Sequence, residues 1–137
     1  MLELYFYDNV DDNLLKYAVI ISKTDGKWVF CKHKKRTTYE IPAGHREKNE
    51  AIFDTAKREL IEETGAINFS IKPICPFNVR FNNKDSYGML YFAEINSFGK
   101  IDSEIENIII TEKLIDNWTY PDIQPKLIDE AIKRGFI

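Results

Sequence analysis

Between Gly44 and Ala66 the chain reads GHREKNEAIFDTAKRELIEETGA. Three acids and an arginine crowd its end: Arg58, Glu59, Glu62 and Glu63. On a helix, Glu59, Glu62 and Glu63 stand at i, i+3 and i+4 and share one face. Like charges so placed repel by roughly 0.2–0.5 kcal/mol per pair. Gly65 is a natural helix stop, which puts Glu62 and Glu63 in the last turn, where the dipole disfavours anions. A helix selected for stability alone would carry lysine there. Carboxylates gathered at the wrong end of a helix predict an absent positive partner, and a divalent cation with oxygen ligands fits best. Such a centre suits hydrolysis of a polyphosphate, whose charge must be neutralised before water can attack.

Several elements must position this acid face. Leu2 to Tyr7 alternates like a short edge strand, and Lys16 to Ser22 reads as a central strand. Thr24-Asp25-Gly26 signals a hairpin, with Trp28 to Cys31 as the returning strand. Lys32 to Arg36 is a basic loop containing His33. Pro42 biases Ile41 towards an extended conformation. Asn49 can cap a helix with Glu50 in its first turn. Ile52, Phe53, Ala56, Leu60 and Ile61 recur at helical spacing and predict its buried stripe. Asp54–Arg58 and Arg58–Glu62 are i, i+4 pairs that offset part of the acid repulsion. Three β-prone runs follow, Ile67 to Ile74, Cys75 to Phe81 and Ser86 to Ile95, with a turn at Asn82 to Asp85. Ile108 to Thr111 reads as a short core strand. A final helix is expected over Gln124 to Arg134, with Leu127, Ile128 and Ile132 facing inward. Strands surrounding one central helix, with a second helix at the end, predict an α/β sandwich with mixed β-sheets.

The 137 residues fit one domain, expected to span 1–137. Hydrophobic content of 44% and charged content of 30% are ordinary for a folded domain. A formal net charge of −3 argues against a general nucleic-acid surface. No apolar run approaches the roughly 18 residues of a membrane span. The first residues are acidic and lack a signal-peptide pattern, so a cytoplasmic location is expected. Cys31 and Cys75, the two cysteines, are expected to be reduced, and neither belongs to a CxxC pair. With His33 and His45 they do not form a zinc pattern. Oxygen ligands, hence Mg2+ or Mn2+, fit better.

The segment from Gly44 to Ala66 resembles the Nudix box. Gly44, Glu50, Arg58, Glu59, Leu60, Glu62, Glu63 and Gly65 occupy the family's fixed positions. Ala66 departs from the usual large aliphatic residue, a change in packing rather than in metal chemistry. The resemblance implies a Nudix-type α/β/α sandwich with a catalytic loop–helix–loop. It also implies magnesium-dependent hydrolysis of a diphosphate bond in a small-molecule nucleotide. By matched position, Glu59, Glu62 and Glu63 look like metal ligands, together with the backbone carbonyl of Ala43. Glu50 and Arg58 look like organisers of these carboxylates. Homodimers occur in the family, and no segment of this sequence marks an interface.

One carboxylate can take the proton from water. Glu62 or Glu59 is expected in that role, with Glu104 or Glu106 as the alternative on a later loop. Arg80 is a candidate phosphate contact, and Phe77, Trp118 and Tyr120 are candidates to stack on a base. The basic loop could steer an anion or simply be solvated. A nucleoside triphosphate is the favoured substrate, an oxidised purine nucleotide included, because the chain is short. The approach Glu40-Ile41-Pro42-Ala43-Gly44 also resembles hydrolases of ADP-ribose and nucleotide sugars. A non-catalytic nucleotide-binding module is the alternative of another class, and the intact acid set argues against it.

Overall fold

The computed structural model describes residues 1–101 and 105–137. Alternation along one strand organises the molecule. In β2 (Leu15–Thr24), Ala18 and Ile20 face one side of the sheet, while Val19 and Ile21 face the other. The first side packs on α1 (Ile52–Thr64) through Ala56 and Leu60. The second packs on α2 (Gln124–Lys133) through Leu127, Ile128 and Ala131. A strand apolar on both faces is buried on both, so a helix covers each side of the sheet.

The remaining strands are β1 (Leu2–Phe6), β3 (Lys27–His33), β4 (Ala43–His45), β5 (Ala66–Phe81), β6 (Lys84–Phe98) and β7 (Ile105–Thr111). They lie in the order β1-β5-β6-β2-β3-β7, with β4 pairing with β2. The β2–β6 pair is parallel and the other pairs are antiparallel. The mixed α/β/α architecture expected from the sequence is present, with one continuous sheet among the described residues rather than several. The β2–β3 hairpin turns on Asp25 and Gly26, both at positive φ, as a two-residue turn requires.

Several local expectations are corrected. β5 is one strand instead of two. Its register slips between Pro73 and Cys75, where a proline lacks the ladder N–H, and pairing then resumes. The turn into β6 is confined to Asn82 and Asn83, both left-handed. Asn49 does not cap α1: it too is left-handed, and Ala51 occupies the cap position. Phe53 and Ile61 are exposed, whereas Glu59 and Glu63 are buried beside Leu60. The helix thus turns a third of its buried positions over to carboxylates. Asp54 lies near Lys57 at 3.7 Å, because Arg58 is drawn to other acids. On the last strand Ile105 is buried and Ile110 exposed, and in α2 Ala131 is buried where Ile132 is not. Among the described residues, no helix is long and apolar enough to cross a membrane.

Candidate active site

The acid face hangs on Arg58. Its guanidinium grips Glu50 with a fork, Nε to Oε2 at 2.8 Å and Nη2 to Oε1 at 3.0 Å. Nη1 donates to Glu59 Oε1 at 2.7 Å and lies 3.5 Å from Glu62 Oε2. Nη2 also donates to the His45 carbonyl at 2.9 Å, which ties the helix to β4. Glu50 takes two further bonds, from the Thr55 hydroxyl at 2.6 Å and the Glu47 N–H at 3.0 Å. These bonds, led by Arg58, pull its carboxyl down to about 2. Arg58 is correspondingly held as a cation by Glu50 and Glu59.

Glu63 stands in the opposite condition. It is 7% exposed, and Oε1 accepts the Ala43 N–H at 2.8 Å. Oε2 lies 3.6 Å from His33 Nε2, and that nitrogen is 3.5 Å from Glu40 Oε2. Burial pushes the Glu63 carboxyl up to about 8, with Glu59, Glu40 and Glu62 adding repulsion. Glu59, 9% exposed, is also raised, chiefly by burial, although Arg58 opposes the shift. Gly44 packs directly on the Glu59 carboxylate, and a Cβ there would collide with it. Gly65, left-handed at φ +74, ends the helix, and its N–H bonds the Ile61 carbonyl at 2.9 Å.

The donor set fits a hard divalent cation. Buried or crowded carboxylate oxygens dominate it, and Glu63 is both buried and faced by the like charges of Glu59, Glu40 and Glu62. Among the described residues no three acidic, histidine or cysteine side chains converge as a metal cage. Arg58 supplies the positive charge in this arrangement, and Glu62, 49% exposed, is the most open of the three acids.

A cavity of about 350 Å³ opens beside Glu63. Ala43, Gly44, His33, Glu40 and Glu63 line it, and Tyr17, Val19, Phe77, Ile123 and Leu127 give it apolar walls. Arg36 and Tyr120 also line it: the guanidinium lies 5.6 Å from the ring centroid and donates to Glu40 Oε1 at 2.8 Å.

Of the expected substrate contacts, Phe77 and Tyr120 therefore reach the cavity, while Arg80 and Trp118 do not line it. Arg80 is bound to Asp85 at 2.7 Å. Trp118 packs edge-on against Phe30, with ring centroids 5.3 Å apart, so its apolar surface goes to the core. Glu106 pairs with Lys32 at 2.5 Å, and Glu104 lies outside the described residues. The sequence reading did not select Tyr17, Ser86 or Gln124. Gln124 had a legible signal: it shares the i, i+3, i+4, i+7 face with Leu127, Ile128 and Ala131, a polar residue on an apolar stripe.

An α/β/α sandwich that mounts an arginine-braced acid helix against a cavity defines the class. The NUDIX domain model matches residues 13–128, and the chain belongs to that family, the Nudix hydrolases. Among its relatives is YtkD of Bacillus subtilis (strain 168), provisionally named an 8-oxo-dGTP diphosphatase. It is 34% identical over 98 residues, 72% of this chain and 61% of the relative. The crystal structure of a mutant of the Bacillus subtilis pyrophosphohydrolase BsRppH superposes with a TM-score of 0.82 at 26% identity, covering 99% of this chain and 92% of that one. A NUDIX hydrolase from Nitrosomonas europaea shares the fold, with a TM-score of 0.68 at 20% identity over 87% of this chain and 89% of the other.

Proposed function

We propose that this protein hydrolyses a nucleoside triphosphate, an oxidised purine nucleotide included, to a monophosphate and pyrophosphate. Glu59, Glu62, Glu63 and the Ala43 carbonyl would hold Mg2+ or Mn2+. When bound, the cation would neutralise phosphate oxygens and help to activate water. One observation carries the reading: Glu63, the buried end of the acid set, opens with Gly44 and the Ala43 backbone onto the same cavity as the aromatic walls. A polyphosphate fits the first and a base the second. The naming of YtkD and BsRppH supports the same chemistry.

This chain's residues have separable tasks. Arg58 fixes Glu59 and Glu50 through charge-assisted bonds, so the helix presents its acids in a set geometry. Gly44 lets the β4 backbone lie against Glu59. Glu62, least engaged of the three, serves as general base. The water oxygen bonds to phosphorus, its proton passes to the carboxylate, and the P–O bond to the leaving pyrophosphate breaks. His33 and Arg36 place positive or hydrogen-bonding groups where an anionic chain would enter.

The test is a nucleotide panel incubated with and without Mg2+, with products identified by mass. Cation-dependent release of pyrophosphate from a triphosphate is expected. Ligands that raise the melting temperature while none is cleaved would instead identify a binding module.

A further inference from the structure

Gln124 offers a polar group to the cavity in one fixed orientation. The residue is 4% exposed and begins α2. Its Oε1 accepts the Ile41 N–H at 2.7 Å. A backbone N–H can only donate, so the amide cannot flip: its oxygen faces Ile41, and its NH2 is turned away from that bond. Among the described residues the NH2 has no hydrogen-bond partner, and it is not a sealed, unsatisfied atom. Its residue lines the cavity together with Tyr17, Phe77, Tyr120, Ile123 and Leu127.

The neighbouring polar groups reinforce this donor character. Burial pushes the Tyr17 phenol up to about 12, so it keeps its proton, and Ser86 hydrogen-bonds to it. The acceptor nearby, Glu40, is already engaged: Oε1 bonds Arg36 at 2.8 Å, and Oε2 lies 3.5 Å from His33.

We propose that Gln124 is a specificity-determining residue that selects an oxopurine base by donating its locked NH2 to a ring carbonyl. This rests on the nucleotide-hydrolase reading of the same cavity. Guanine and hypoxanthine present a carbonyl oxygen where adenine presents an amino donor. Two facing donors cannot pair, and each loses its water on binding, so adenine is disfavoured. The Ile41 N–H removes the rotation that would let an ordinary glutamine accept either base.

The experiment compares kcat/KM for GTP, ITP and ATP in the wild type, Gln124→Glu and Gln124→Met. Thermal melts check that each variant is folded. Gln124→Glu keeps the acceptor for Ile41 and removes the donor, and it is read at pH 8.5 so that its carboxyl is ionised. Gln124→Met keeps the length and has neither group. The wild type is expected to prefer both GTP and ITP over ATP by about 10-fold or more, largely through KM. Each folded variant should narrow that preference at least about 5-fold. ITP separates the carbonyl from the 2-amino group of guanine.

Equal wild-type rates on the three nucleotides, or an unchanged preference in both variants, overturn the role of Gln124 and leave the hydrolase reading intact. If no triphosphate is cleaved, the hydrolase reading fails. Calorimetric binding of GTP, ITP and ATP then decides the inference by the same ratios, and absence of binding to all three overturns it.

Discussion

Two glutamates of one short segment live in opposite worlds. Glu50 sits before the helix and receives an arginine fork, a hydroxyl and a backbone N–H, which draw its carboxyl down to about 2. Glu63 sits in the last turn, buried, with one backbone N–H and a nearby imidazole, and its carboxyl is pushed up to about 8. Same side chain, opposite shift: the first is satisfied by the fold and the second is not. A satisfied carboxylate is a brace. An unsatisfied one has affinity to spare for a ligand that brings positive charge, which is why such groups gather at functional sites.

The sharpest way to break this contrast is Glu63→Gln. It should lower pyrophosphate release at least about 10²-fold, because a charge-stabilising oxygen is lost. It should also stabilise the cation-free protein at pH 8 by about 1–3 kcal/mol, because a buried charge disappears while the amide oxygen can still accept from Ala43. Chemical denaturation in chelator measures the second effect, and a large loss of stability would refute the account of Glu63. Gly44→Ala comes next. Its methyl group must displace the Glu59 carboxylate, so activity should fall about 10-fold or more with the sheet intact.

Glu50→Gln should be the opposite of Glu63→Gln in stability. It lowers the melting temperature of the cation-free protein, because Arg58 loses its best partner, and slows turnover several-fold as Glu59 and Glu62 lose their support. Scanning calorimetry on both variants reads the contrast directly.

The two groups also predict different pH windows. Glu63 holds its proton more tightly when folded, so its stabilising contribution is present below about 4.5 and is lost as pH rises towards 8. Glu50 releases its proton more readily when folded, so its contribution is present above about 4.5 and is lost as pH falls towards 2. Denaturation of cation-free Glu63→Gln should therefore show a flatter stability curve between pH 4.5 and 8 than the wild type. The smallest effect is expected from Arg80→Ala. That residue pairs with Asp85 away from the cavity, so kcat/KM should stay within about twofold.

Parts of the fold were legible for simple reasons. β2 announced itself as a run of residues apolar on both faces, and the Asp25-Gly26 turn by residues suited to left-handed backbone. Helix α1 was legible, but its rotation was not. Periodicity located Ala56 and Leu60 correctly and then placed Phe53 and Ile61 inside, because apolar spacing cannot anticipate that Thr55, Thr64 and two carboxylates take the remaining buried positions. Arg80 was a candidate phosphate contact and Trp118 a base-stacking candidate in a loop near two prolines; in the structure Arg80 pairs with Asp85 and Trp118 packs on Phe30.

Spacing within one helix and its flanking loop is a local property, so the amino-acid order alone determined the acid set, its arginine and the glycines that bound it. The cavity is a product of distant segments: Tyr17, Phe77 and Gln124 meet only when β2, β5 and α2 pack around the sheet. Which glutamate is braced and which is left wanting was likewise a tertiary decision. Burial and the direction of the Arg58 fork set it, and neither is written in the spacing of charges along a chain.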